Sequence, residues 1–325
     1  MQKSYQQDQK TILFNDKDTA SLDNVKTLLG YVPDVYYIIP DGYANYKVLE
    51  KFLGYDNDEF LSYLEDKKFT VVTDSRSNYG NTLFSVPSIL NMEPIEAFSD
   101  STLSARKQLM EWNKVVYLFK NLGYKYIAIS SDDTAFSGTV ADIRFGSSLL
   151  YRILIKSTIF NPISQRFRGR VLNAFDGLEK ASAISGPKFV FAHIIAPHDP
   201  YVFGSNGEDI GFNSGEERSP NDMALYVEQL KFVNKKIKEA IDIILKNSSR
   251  TPVIIIQSDH GVLLPDFYDA QTAADARLRN LSAYLLPETR ASSQTSEIPP
   301  DDNINTFRFI FDQYFGTRFG LIEEN

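Results

Sequence analysis

The chain has 325 residues, 43% of them hydrophobic, and a formal net charge of −8. That length buries a large core yet is too short for three ordinary domains, and an acidic balance without a basic block excludes binding of nucleic acid through clustered positive charge. There are no cysteines, so disulfides, thiolate metal sites and cysteine nucleophiles are excluded.

Residues 1–30 are polar and weakly patterned, and read as a leader or linker before a domain occupying 31–325. Neither a signal peptide nor a run approaching the ~18 apolar residues that cross a bilayer is present. The expectation is a chain soluble by itself, and compatible with having been cut from a longer membrane protein. The first apolar run, Asp34 to Pro40, closes on Asp41-Gly42. Short apolar runs closed by turn residues read as buried parallel strands. The texture recurs at Phe69–Thr73. A polar loop from Ser77 then enters an apolar stretch that reads as helix from Thr82. Tyr124–Ser130 is the next strand. Leu149–Phe160 carries Arg152 and Lys156 and reads as an amphipathic helix, and Arg166, Arg168 and Arg170 read as a solvated helix face.

Lys188–Ile195 reads as a strand, and the polar stretch Gly204–Asn221 as a long loop. In Pro220–Lys246, Tyr226, Leu230, Val233, Ile237, Ile241 and Ile244 step by three and four, which predicts a helix. Ser219 suits its N-cap, Pro220 its first position and Asp222 its first turn. Val253–Gln257 and Ser282–Leu286 are the last strands. Strands alternating with helices predict an α/β fold, a mostly parallel central sheet with helices on both faces. In such sheets, sites form at the carboxyl ends of the strands.

The residues with chemistry stand at those ends. All three histidines of the chain, His193, His198 and His260, lie at or just beyond a predicted strand end. The strand 253–257 runs into Asp259-His260-Gly261, where carboxylate and imidazole suit Zn²⁺ or Mn²⁺; the bland alternative is a turn in which the aspartate caps the next element. Asp41-Gly42, after the first strand, reads alone as a common turn; paired with Asp259 and His260, Asp41 fits a third ligand from a neighbouring strand. Thr82 at a helix N-terminus lies in the positive end of the dipole, beside free N–H groups that favour a phosphate or sulfate. Its alternative is that Thr82 or Asn81 is simply an N-cap. His193 and His198, five apart across a strand end and a turn, fit substrate binding or proton donation better than a tight structural site.

Taken in this order, Asp41, the loop carrying Thr82, the paired histidines before Pro200-Tyr201, Asp259-His260-Gly261 and the segment 275–287 resemble the sulfatase-like branch of the alkaline phosphatase superfamily. Lipoteichoic acid synthases and lipid A phosphoethanolamine transferases are the members most similar in pattern. The resemblance spans Asp34 to Leu286. It implies one divalent ion, Zn or Mn, held by Asp41, Thr82, Asp259 and His260, with a second ion in doubt. Thr82 would be the nucleophile of a covalent phospho-enzyme, and His198 and His193 would contact substrate. The implied reaction is phospho-ester transfer or hydrolysis on a small or lipid-linked substrate, at the extracytoplasmic face of a bacterial cytoplasmic membrane. Alternatives are a sulfuric ester hydrolase and a non-catalytic member that binds a ligand in a membrane complex. The Cys/Ser-x-Pro-x-Arg motif of true sulfatases is missing: Ser85-Val86-Pro87-Ser88-Ile89 lacks the arginine.

Overall fold

In a computed structural model, the structure describes residues 29–98, 102–131, 136, 138–146, 163–288 and 298–323. In chain order the elements are β1 (Val35–Pro40), α1 (Tyr46–Leu53), α2 (Asp58–Asp66), β2 (Thr70–Val71), α3 (Thr82–Asn91), α4 (Leu103–Glu111), α5 (Lys114–Asn121), β3 (Lys125–Ser130) and β4 (Ile143–Gly146). They continue with α6 (Ile163–Ser182), β5 (Lys188–Ile194), β6 (Tyr201–Phe203), β7 (Asp209–Asn213), α7 (Pro220–Asn247), β8 (Val253–Gln257), α8 (Ala270–Leu278), β9 (Ser282–Leu285) and α9 (Thr306–Phe315).

Seven strands form the central sheet in the order β2-β9-β8-β1-β5-β3-β4. The five from β8 to β4 run parallel, and β9 and β2 are antiparallel at one edge. β1, β5 and β8 are buried along their whole length, which is why they read as continuous apolar runs. Alternation along β1 sends Tyr36 and Ile38 into one core and Val35, Tyr37 and Ile39 into the other. The first core is closed by α1, α2, α6 and α7. The second is closed by α3, α5 and α9, where Phe119, Phe189, Phe307 and Phe311 pack ring on ring.

The predicted α/β architecture holds, with β2 shorter than the expected strand at 69–73 and α7 running one residue past Lys246. Ser219 and Asp222 form a reciprocal capping box on α7. Two expectations change. The stretch 204–221 is not all loop, because Asp209–Asn213 pairs antiparallel with β6 as a separate two-stranded ribbon. Arg168 is not simply solvated: it donates to the carbonyls of Val202, Gly207 and Glu208 and lies over the Phe203 ring, tying α6 to that ribbon. The amphipathic segment expected at 149–160 lies outside the described residues, as does almost all of 1–30. Among the described residues, no helix is long and apolar enough to cross a membrane.

A candidate metal centre at the carboxyl edge of the sheet

β8, β1 and β5 are neighbours in the sheet, and each delivers ligand-type side chains at its carboxyl end. β1 releases Asp41, whose N–H still donates to Ile194 at 2.9 Å. Gly42 then turns with φ +71°, and a Cβ there would lie 3.2 Å from the His198 ring. The turn is pinned by Tyr226 on α7, whose hydroxyl donates to the Gly42 carbonyl and accepts from Ala44 N–H, each at 3.0 Å.

β8 releases Ser258-Asp259-His260. The Ser258 carbonyl accepts from the side chains of Asn280 and Asn303, and the Asp259 carbonyl from the hydroxyls of Ser77 and Ser85. Gly261 has to be glycine, since a Cβ would sit 2.3 Å from the carbonyl oxygens of Ala276 and Arg279. This turn is thus fixed by packing on all sides, more than an ordinary strand-end turn requires.

Thr82 is the first residue of α3. The cap is Asn81, whose side chain accepts from Leu83 N–H at 2.9 Å, so the Thr82 hydroxyl is not spent on capping. It lies 3.5 Å from His260 Nε2. The neighbouring serines are engaged elsewhere: Ser77 and Ser85 on Asp259, and Ser88 on the Phe84 carbonyl at 2.8 Å.

His260 Nδ1 faces the Gly261 carbonyl at 3.0 Å, which can only accept, so Nδ1 carries the proton and Nε2 turns its lone pair to the cleft. That Nε2 is 3.4 Å from Asp41 Oδ1 and 3.6 Å from Asp259 Oδ2. Both carboxylate oxygens are buried and lack a hydrogen-bond partner among the described residues. Buried anionic oxygens around an imidazole lone pair repel one another, and a cation between them removes that cost. Donor atoms of Asp41, His198 and His260, and again of Asp41, His193 and Asp259, lie within 4.8 Å of one another. Carboxylates with imidazoles fit a divalent ion such as Zn²⁺ or Mn²⁺.

Electrostatics divide the histidines. Burial would push the Asp41 carboxyl up, but the charge of His198, a hydrogen bond from His193 and the charges of His260 and His193 hold it well below the usual carboxylate range. Burial pulls His198 down, yet the carboxylates of Asp41 and Asp199 outweigh it and push its pKa to about 9. His260 goes the other way, held below the imidazole range by burial against the pull of Asp259 and Asp41. His193 is wholly buried, its Nε2 3.3 Å from Asp41 Oδ2. It is not among the residues that line the cavity beside His198, so the contact with substrate expected of it is not seen there, and it sits instead with Asp41 and Asp259 as a candidate ligand set. His198 is part-exposed, with its ring centroid 5.7 Å from that of His260. It lines a cavity of about 230 Å³ together with Asp199, Tyr201, Arg218, Tyr226 and Arg277.

Two residues of this site were not singled out from the sequence. Arg277 donates to the carbonyls of Gly80 and Gly261 beside the cleft. Gln229 sits buried on α7, accepts from Val202 and Phe203 N–H, and donates to the carbonyls of Pro197, His198 and Pro200. The usable signal for Gln229 is its place: a glutamine among the inward positions Tyr226, Leu230 and Val233.

No protein-family model and no curated protein matches the sequence. Solved structures do match in shape. The integral membrane lipooligosaccharide phosphoethanolamine transferase A of Neisseria meningitidis superposes with a TM-score of 0.59 at 12% identity, over 88% of this chain and 55% of that one. The chain has an alkaline phosphatase-like α/β fold. It spans about half the length of that full transferase. The phosphoglycerol transferase GacH of Streptococcus pyogenes, in complex with sn-glycerol-1-phosphate, matches at TM-score 0.56 and 13% identity over 96% of this chain and 80% of that one. The periplasmic domain of EptC from Escherichia coli, in complex with Zn, matches at 0.55 and 11% over 90% and 85%. In open α/β sheets ligands bind outside the carboxyl ends of the strands, and Asp41, Asp259 and His260 meet there.

Proposed function

We propose that residues 31–325 form a metal-dependent phospho-ester transferase domain that works through a covalent intermediate on Thr82. The observation that carries this reading is the meeting of the Thr82 hydroxyl, at the N-terminus of α3, with His260 Nε2, itself beside the carboxylates of Asp41 and Asp259. A threonine hydroxyl is a weak nucleophile, and a divalent ion held by Asp41, Thr82, Asp259 and His260 would lower its pKa and polarise a phosphoryl oxygen.

The chain's own residues do the rest. The N-terminus of α3 favours a phospho group over Thr82, whose own N–H is the one in the first turn not already bonded to Asn81. Thr82 Oγ1 forms the new P–O bond as the ester P–O bond breaks, its proton passing to solvent through the cleft. The leaving alkoxide takes a proton from His198, which faces the cavity. In the second half-reaction an acceptor hydroxyl attacks phosphorus, His198 recovers a proton from it, and the Thr82 P–O bond breaks to an alkoxide that takes a proton back from solvent. His193, with Nε2 3.3 Å from Asp41 Oδ2, holds that carboxylate in orientation.

The absence of the Cys/Ser-x-Pro-x-Arg motif, whose Cys or Ser true sulfatases convert to formylglycine, favours phospho esters over sulfate esters. The transferases that share the fold, acting on phosphoethanolamine and phosphoglycerol groups, support transfer to an acceptor alcohol over hydrolysis. Their membrane and periplasmic settings support an extracytoplasmic domain acting on a small or lipid-linked substrate. The reading is tested by assaying purified, Zn- or Mn-loaded protein on activated phosphodiesters, with and without an acceptor alcohol. Full metal occupancy with no turnover of any phospho ester would sink it.

A further inference from the structure

Arg277 lies in the last turn of α8. Its Nε donates to the Gly80 carbonyl at 2.8 Å, two residues before Thr82, and its Nη1 donates to the Gly261 carbonyl at 3.0 Å, one residue after His260. One guanidinium therefore joins the loop that presents Thr82 to the loop that presents Asp259 and His260. Gly80 makes room for it, since a Cβ there would come within 2.8 Å of Arg277 Cγ. The third nitrogen, Nη2, bonds no carbonyl: it donates one N–H to His260 Nε2 at 3.3 Å, a bond that an ion on Nε2 would displace, and Arg277 lines the 230 Å³ cavity with His198.

Charge gives this placement a purpose. Asp41 and Asp259 together balance a divalent ion, so those groups alone offer a phospho anion no net attraction. Arg277 adds one positive charge on the cleft side. A planar guanidinium holds two carbonyls and still points N–H groups at a phosphoryl oxygen; a lysine ammonium has neither the fork nor the reach.

Building on the transferase reading above, we infer that Arg277 binds the transferred phospho group through Nη2, while Nε and Nη1 set the distance between the Thr82 loop and the His260 loop. The class of ligand is an anionic tetrahedral oxyanion, phosphate or phosphate ester, seated between Thr82 and the 230 Å³ cavity.

The test uses metal-loaded protein and inorganic phosphate as the probe, with binding measured by calorimetry and metal content by elemental analysis. Arg277→Gln is expected to weaken phosphate binding by roughly tenfold or more, with metal content kept. Arg277→Lys is expected to keep part of the phosphate affinity and to lose kcat on an activated phosphodiester, because charge remains and the clamp is lost. Wild-type phosphate affinity in Arg277→Gln overturns the inference, and leaves the transferase reading standing if Thr82→Val is inactive. No phosphate binding by the metal-loaded wild type overturns both. If neither variant folds, Arg277 is a structural clamp and the inference is wrong.

Discussion

His260 Nε2 and Thr82 Oγ1 stand 3.5 Å apart although 178 residues separate them in sequence. Two turns with separate supports bring them together: Asn81 caps α3 behind Thr82, and Gly261 packs against α8 behind His260. The carboxylate oxygens beside them are buried without hydrogen bonds among the described residues, a condition that a bound cation relieves. Asp259→Asn and His260→Gln should each lower Zn or Mn content in elemental analysis of purified protein. Full occupancy in both variants would show that the ion, if bound, is held elsewhere.

Gln229 offers a test of how the His198 loop is held. Its side chain satisfies two N–H groups and contacts three carbonyls between Pro197 and Phe203. Gln229→Leu keeps the bulk and strands those groups in a buried place, at a cost of about 1–3 kcal/mol for each that finds no water. A clear fall in melting temperature is expected, together with a fall in kcat as His198 loses its position. Unchanged stability would mean that water or a backbone shift replaces the glutamine.

The sheet was legible because β1, β5 and β8 are buried on both faces and so consist of unbroken apolar residues. Asp41, Asp259 and His260 were legible for a related reason: polar residues directly after such runs have to lie at the carboxyl edge. The ribbon strand β7 was not, since most of Asp209–Asn213 is exposed and carries no apolar run. Nor did sequence tell His193 from His198. Which one is buried depends on the register that sets His193 beside Ile39 of β1, a tertiary fact. Arg277 was hidden for the same reason, its partner Gly80 being 197 residues away.

The proposed preference for phospho esters rests on the missing formylglycine motif. Measurable turnover is expected on an activated phosphate ester, with little or none on an aryl sulfate of matched leaving group. Without an aldehyde hydrate to expel sulfate, Thr82 is left with the chemistry of an ordinary alkoxide. A sulfatase rate above the phosphodiesterase rate in the same preparation would reverse the assignment.

The sharpest prediction concerns Thr82 itself. On the proposed mechanism it carries the phospho group between the two half-reactions. Thr82→Val keeps the shape and the β-branch and removes only the hydroxyl, so kcat should fall by orders of magnitude while the fold and most of the metal remain. Thr82→Ser keeps a hydroxyl and should keep part of the activity. Capping does not confuse the comparison. An N-cap replaced by alanine costs ~1 kcal/mol of stability, but here the cap is Asn81, so Thr82→Val should melt close to wild type. Asn81→Ala is the matching control, expected to lower the melting temperature and to affect kcat less. Mass spectrometry of a rapidly quenched reaction should find a phospho adduct on the peptide containing Thr82. Ser77, Ser85 and Ser88 lie nearby in sequence, but their hydroxyls are bonded to the carbonyls of Asp259 and Phe84. An adduct on one of them would keep covalent chemistry and move the nucleophile. Near-wild-type turnover in Thr82→Val would remove the mechanism altogether.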